Sequence, residues 1–186
     1  KGGNVGTFVV GVNPSTGSGQ VISNASCTTN CVTPVAAVMQ AKFGIKKALM
    51  TTVHAYTDDQ ALQDGSHKDL RRARAAAANI VPTSTGAAIA TTEVIPELKG
   101  LFDGISLRVP VLTGSISDFV FVTKRPVTRE EVNQAFTEAS QSPMYIGIIG
   151  VSKEHLVISD FNGSSYSASI DPEFTQVIDG DLVKVL

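Results

Sequence analysis

Charge is absent from the front of this 186-residue chain. Residues 2–41 hold no Lys, Arg, Asp, Glu or His, so nothing there can act as a local base or counter-ion. Cysteine is scarce too: Cys27 and Cys31 are the only two. So few exclude a disulfide framework and fit a reducing, cytoplasmic setting. Zinc would need further ligands, and His54, His67 and His155 fall at no recognisable spacing, so no metal site is expected. No apolar run approaches the ~20 residues of a membrane span. No clustered basic face suggests nucleic acid. No Gly-x-Gly-x-x-Gly follows a strand and opens a helix: Gly17-Ser18-Gly19 lacks both the context and the third glycine. No repeat period is visible. An initiator Met and an apolar leader are lacking at Lys1, and the last residues alternate like a strand without a turn. Both features lead us to expect a piece of a longer protein.

What is present suits one globular domain with a core, at 42% hydrophobic residues, 17% charged residues and net charge −2. Charge is unevenly placed. Residues 42–74 carry seven Lys/Arg against four Asp/Glu, and residues 94–186 carry seven against twelve. The mildly basic segment suits a small anionic substrate.

The most informative stretch is Ser23-Asn24-Ala25-Ser26-Cys27-Thr28-Thr29-Asn30-Cys31. Strand-like residues 21–22 lead in and a helix-like run to Phe43 leads out. Ser23, Asn24 and Ser26 are N-cap types. Cys27 therefore falls in the first helical turn, where free N–H groups and the helix dipole favour thiolate. Its partner must come from a distant segment. Cys31, one turn on, reads as a small buried hydrophobe. Pro34 should loosen or bend the helix, and Gly44 ends it.

Along the chain, residues 7–12 read as a strand and residues 13–20 as a loop. Residues 45–56 form a strand with His54 near its end; a lone strand His is ordinarily structural and needs context to be more. Residues 57–82 form a long irregular segment, a length usually tied to function. Its cluster Arg71-Arg72-Ala73-Arg74 is read equally well as a solvated turn. Thr83-Ser84-Thr85-Gly86 opens a helix to about Leu98, and hydroxyls with a glycine at a helix start can hold an anion. Residues 105–112 and 115–124 read as an antiparallel hairpin. Thr128-x-x-Glu131 is a capping box opening a helix to about Ser140. Strands follow at residues 145–149, 156–159, 167–170, 175–178 and 182–186. The class expected is α+β: a largely antiparallel mixed sheet of about eight strands with helices packed on one face.

Five motifs in order now resemble glyceraldehyde-3-phosphate dehydrogenases: the thiol motif, Thr51-Thr52-Val53-His54-Ala55-Tyr56-Thr57, Asp69-Leu70-Arg71-Arg72-Ala73-Arg74, Pro82-Thr83-Ser84-Thr85-Gly86 and Leu107-Arg108-Val109-Pro110. The resemblance covers essentially the whole chain and implies the catalytic domain alone, residues 1–186, without the NAD-binding domain or a C-terminal segment. It implies Cys27 as nucleophile and His54 as base. Thr57, Asp59 and Arg108 are implied for the substrate phosphate of glyceraldehyde 3-phosphate. Ser26, Thr28, Thr85 and Gly86 are implied for attacking inorganic phosphate. It further implies NAD or NADP in the full-length enzyme, none bound to this piece, and a homotetramer in the cytoplasm. Residues 57–82 are similar to the family's S-loop, which packs near the cofactor and between subunits. Residues 13–20 depart from the family, being short and without a Tyr. Alternatives are an erythrose-4-phosphate dehydrogenase, against which Thr57 speaks, and a binding or assembly module without turnover.

Overall fold

The computed structural model describes residues 5–13 and 21–186. Helix α1 (Cys27–Phe43) leads into β1 (Ile45–Ala55), followed by β2 (Val81–Ser84), α2 (Ala87–Val94), β3 (Phe102–Val109), β4 (Ser115–Thr123), α3 (Arg129–Gln141), β5 (Ile149–Val151), β6 (Ala168–Ile170), β7 (Gln176–Ile178) and β8 (Leu182–Val185). Six strands form a mixed sheet in the order β2-β3-β1-β4-β8-β7, while β5 and β6 pair in parallel as a separate small sheet. The α+β class stands. The single sheet of about eight strands is corrected to six plus two.

Strand β1 is the centre. It pairs in parallel with β3 from Ala48↔Phe102 to Ala55↔Val109, and antiparallel with β4 from Ile45↔Thr123 to His54↔Ser115. The expected hairpin between the segments at 105–112 and 115–124 is therefore absent, because β1 lies between them. Of the eleven residues of β1, Ile45, Ala48, Met50, Thr52 and Ala55 are buried, and pairing on both edges satisfies the strand's backbone N–H and C=O groups. The connection from β3 to β4 crosses the C-terminal end of β1, which bonds to both of its sides: Ala55 N–H to Gly114 C=O at 3.0 Å and Tyr56 N–H to Val109 C=O at 3.2 Å.

One face of the sheet changes character along β1. Ala48, Phe102 and Phe121 share a row, then Met50, Gly104 and Phe119, and all the large side chains among them are buried. Phe119 and Phe121 stack with centroids 5.6 Å apart. Gly104 admits no side chain, since a Cβ there would lie 2.7 Å from the Met50 carbonyl oxygen. The next row is hydroxyl throughout: Thr83, Ser106, Thr52 and Ser117 on four adjacent strands, all buried. The last row holds His54 and Arg108. Helix residues Val32, Val35, Met39, Ala87, Val132 and Phe136 join the apolar rows in one core. The opposite face leaves Leu49 at 65% and Ile105 at 50% exposure.

Several local expectations are corrected. Residues 7–12 make only a bridge from Thr7 to Ser23, then turn, because the Asn13 side chain accepts from Val9 N–H and donates to Thr7 C=O. Residues 21–22 likewise form no strand, and the loop expected at residues 13–20 lies outside the described residues beyond Asn13. Residues 145–149 are turns bonded back to Ser142 and Tyr145 until β5 begins. Residues 156–159 give way to a 3₁₀ turn, Ile158–Phe161, closed by Asp160 on Val157 N–H. Thr83 and Ser84 end the edge strand β2 and do not open a helix, and Pro82 is tolerated at that edge. Helix α1 runs unbroken through Pro34.

Ser106 Oγ is buried and has no hydrogen-bond partner among the described residues, whereas Thr52 Oγ1 meets Ser117 Oγ at 2.9 Å. Removing an unpaired buried hydroxyl is neutral or favourable, but orphaning a paired one costs about 1–3 kcal/mol. Ser106→Ala should leave the urea denaturation midpoint unchanged or raise it, and Thr52→Val should lower it. Equal losses in the two variants would contradict this account.

Candidate active site

The thiol is placed by the start of α1. Ser26 is the N-cap: its Oγ accepts from Thr29 N–H at 3.1 Å and lies 2.8 Å from Thr29 Oγ1. Ala25, just before it, takes a left-handed φ of 57°, a conformation that costs an ordinary residue about 1–2 kcal/mol. The Asn30 side chain ties the entry down by donating to Asn24 C=O at 2.7 Å and Ser26 C=O at 2.9 Å. Cys27 is thus the first helical residue, and it is exposed.

His54 arrives from the end of β1, on the face turned toward the helices. Its Nε2 is 3.6 Å from Cys27 Sγ. That contact is the main cause pulling the Cys27 thiol down from 9.0 to about 7; partial burial opposes it, and the Thr28 hydroxyl, 4.0 Å away, helps. The same contact raises His54, assisted by the Ala55 carbonyl and opposed by burial and by the Arg108 charge. Arg108 is the register partner of His54 on β3, and its Nη1 reaches His54 Nδ1 at 2.6 Å and Ala55 C=O at 3.1 Å. Burial pushes Arg108 down, while Cys27 and Asp59 favour its charge. Cys31 differs in kind: burial of its thiol raises it to about 11.

Beyond Arg108 lies a second charged group. Thr57 bonds Gln60 Oε1 through its N–H and hydroxyl, at 2.9 and 3.2 Å. Asp59 Oδ2 sits 2.7 Å from Arg72 Nη1, and the other edge of Arg72 donates to Thr83 Oγ1 at 2.7 Å and Ser84 Oγ at 3.2 Å. Thr85 Oγ1 accepts from Ala87 N–H at the first turn of α2, whose N-cap is Gly86. The structure therefore joins Cys27, His54 and Arg108 directly, and links Asp59 through Arg72 to the segment holding Thr85 and Gly86. The Ser26 hydroxyl is occupied in the cap, and Thr28 is buried.

Arg72 is the residue that the sequence did not separate from its neighbours. Arg74 pairs with Asp64 at the surface, both side chains about 60% exposed, whereas the Arg72 side chain is 22% exposed. The available signal was Asp69, three residues earlier, whose carboxylate accepts from the N–H groups of Arg71 and Arg72 and folds the turn inward. Among the described residues no His, Cys, Asp and Glu side chains converge on a metal-sized position, and no helix is long and apolar enough to cross a membrane.

An acid with a depressed pKa is more ionised at a given pH, so the alkylation rate of Cys27 by iodoacetamide should reach half its plateau near pH 7. His54→Asn removes the main cause and should move that midpoint toward 9.0. Labelling at pH 7 should then slow on the order of tenfold to a hundredfold. Peptide mass spectrometry should find Cys31 unlabelled meanwhile. Faster label on Cys31 would contradict the assignment.

Residues 26–186 match the family model "Glyceraldehyde 3-phosphate dehydrogenase, C-terminal domain". The chain is 53% identical over 183 residues to the glyceraldehyde-3-phosphate dehydrogenase of Streptomyces coelicolor, covering 97% of this chain and 54% of that protein. It is 54% identical over 184 residues to glyceraldehyde-3-phosphate dehydrogenase 2 of Trichormus variabilis, with the same coverage. Against the chloroplastic glyceraldehyde-3-phosphate dehydrogenase GAPB of Arabidopsis thaliana, identity is 52% over 190 residues, spanning 100% of this chain and 42% of the relative. The chain thus spans about half the length of its curated relatives. A family model matching residues 26–186, and relatives more than 50% identical across nearly the whole chain, show that the chain belongs to the glyceraldehyde-3-phosphate dehydrogenases, as their C-terminal domain.

Proposed function

We propose that this chain is the catalytic half of a phosphorylating glyceraldehyde-3-phosphate dehydrogenase. The observation that carries the reading is the Cys27 Sγ–His54 Nε2 contact of 3.6 Å at the start of α1. Cys27 thiolate attacks the aldehyde carbon and forms a thiohemiacetal. His54 takes the hydroxyl proton as the hydride leaves, and a thioester on Cys27 remains. Inorganic phosphate then attacks the thioester and releases the acyl phosphate. Hydride acceptance is the chemistry that NAD or NADP supplies when bound. The chain has no dinucleotide glycine turn, so we assign that fold to the remaining half of the relatives' length.

The residue roles follow the charges. Arg108, with Thr57 and Asp59, holds the substrate's own phosphate; a guanidinium fork suits a phosphate dianion. Ser26, Thr28, Thr85 and Gly86 hold the attacking phosphate, and we add Arg72, which is bonded to the strand leading into Thr85. Asp59 keeps the two arginines apart in function by engaging Arg72. The apolar residues on the open sheet face, Leu49, Ile105 and Ile116, support self-association into the tetramer.

The test uses the full-length protein and follows NADH formation. Cys27→Ser should abolish it. Arg108→Ala should raise KM for the phosphorylated aldehyde about ten- to a hundredfold, from the loss of a charge-assisted contact, and raise KM for unphosphorylated glyceraldehyde far less. Equal KM losses would give Arg108 a structural role instead.

The 186-residue chain alone should produce no NADH, since proximity of donor and acceptor is worth roughly 7–11 kcal/mol of barrier. It should still hydrolyse p-nitrophenyl acetate slowly, and this activity should vanish in Cys27→Ser. Robust NADH formation by the chain alone would overturn the division of labour.

A further inference from the structure

We propose that the buried hydroxyl pair Thr33–Thr91 sets the axial offset between helices α1 and α2, and through it the fit of the attacking phosphate between their first turns. This rests on the site reading above and deepens it by naming two positioning residues.

The topology starts both helices at the same end of the sheet. Helix α1 leads through Gly44 into the start of β1, and α2 leads through a 3₁₀ turn, Pro96–Leu98, into the start of β3. Strands β1 and β3 are parallel. Helix α1 runs back along β1, since its first residue, Cys27, lies beside His54. Helix α2 does the same along β3: it begins after Ser84, the register partner of Ile105, and the turn beyond it returns where Leu101 C=O accepts from Ala48 N–H. The two helices are therefore parallel, and they pack on each other. The residues we assign to the attacking phosphate come from both starts: Ser26 and Thr28 from α1, Thr85 and Gly86 from α2.

The contact between the helices holds one directional bond. Thr33 Oγ1 and Thr91 Oγ1 are 3.0 Å apart, and both residues are 0% exposed. A threonine hydroxyl inside a helix can bond back to the carbonyl one turn earlier; here each turns to the other helix. The buried residues flanking the pair, Val32 and Ala36 on α1 and Ala87, Ala88 and Val94 on α2, are apolar. Apolar contact resists separation but is non-directional, whereas a hydrogen bond weakens steeply with misalignment. Pro34 follows Thr33 directly and has no N–H, so the Asn30 carbonyl loses its intrahelical donor and the first turns of α1 are less firmly tied to the rest. Thr33 anchors those turns to α2 at that boundary.

At about 1.5 Å per residue, Thr33 stands about 9 Å along α1 from Cys27, and Thr91 about 6 Å along α2 from Ala87. A slide at the pair is carried whole to the helix starts. The start of α1 is held by its own cap and by the Asn30 side chain, so loosening the pair displaces α2. Gly86 has open space before it, where a Cβ would meet nothing within 4 Å, and no side-chain cap. The attacking phosphate feels that displacement. The substrate's own phosphate does not, because Arg108 stands on β3 and Thr57 and Asp59 follow β1.

The test is a double-mutant cycle in the full-length enzyme: Thr33→Val, Thr91→Val and both together. Each single variant leaves a buried hydroxyl unpaired and should lower the urea midpoint; the double variant leaves none and should recover it toward wild type. KM for inorganic phosphate should rise about threefold to tenfold in all three and stay raised in the double variant, since misplacement by about 1 Å can cost a hundredfold. KM for glyceraldehyde 3-phosphate should stay within about twofold of wild type. Thr33→Ser with Thr91→Ser keeps both hydroxyls and should keep the wild-type phosphate KM. Recovery of the phosphate KM together with the midpoint in the double variant would reduce the pair to a structural role and overturn the proposal. Equal rises in both KM values would overturn it too. Thr91→Val alone decides the matter if the double variant does not fold: an unchanged phosphate KM rules the offset out. The wild-type control separates the two readings, since NADH formation that does not depend on phosphate would sink the proposed function itself.

Discussion

Strand β1 is paired along both edges, and the site depends on that constraint. Double pairing fixes the register of Thr52, Ser106 and Ser117 in one row and of His54 with Arg108 in the next. A slip of one residue would send His54 to the opposite face. The same pairing places the β3–β4 connection across the end of β1, where two backbone hydrogen bonds hold it beside the imidazole. The position of His54 relative to Cys27 is thus set by backbone geometry on both sides.

The hydroxyl row answers an electrostatic problem. Below it the face is Met50, Phe119 and Phe121; above it stand a histidine and an arginine. A charge set directly on an apolar core would lose solvation without compensation. Neutral hydroxyls tolerate burial when paired, as Thr52 and Ser117 are, and they supply dipoles to the charged layer, as Thr83 does for Arg72. The fold thus moves from dispersion packing to ionic chemistry within a few strand positions.

The thiol was legible because its signals are local: cap residues, a helix start, and a run without charge. The strand of His54 was legible from alternation. The order of the strands was not. Short separation between residues 105–112 and 115–124 suggests a hairpin, and only the long-range claim of β1 on both neighbours defeats it. Strand β2 was hidden by Pro82 and by hydroxyls that equally suit a helix cap. Arg72 was hidden for a related reason: three arginines in four residues look alike until the Asp69 turn directs one inward and leaves Arg74 outside with Asp64. Residue chemistry reads locally; the choice among equivalent residues is made by contacts distant in sequence.

That distinction bears on how the site works. Each arginine is held by polar groups of the candidate site: Arg72 by Asp59 and Thr83, Arg108 by the back of His54. Neither is locked into a hydrophobic wall. An anion entering on that side competes with existing partners, and its binding energy can be felt at the imidazole through one guanidinium. Under the proposed function, anion binding at Arg108 and reactivity of the sulfur are coupled, because Arg108 touches His54 and His54 touches Cys27.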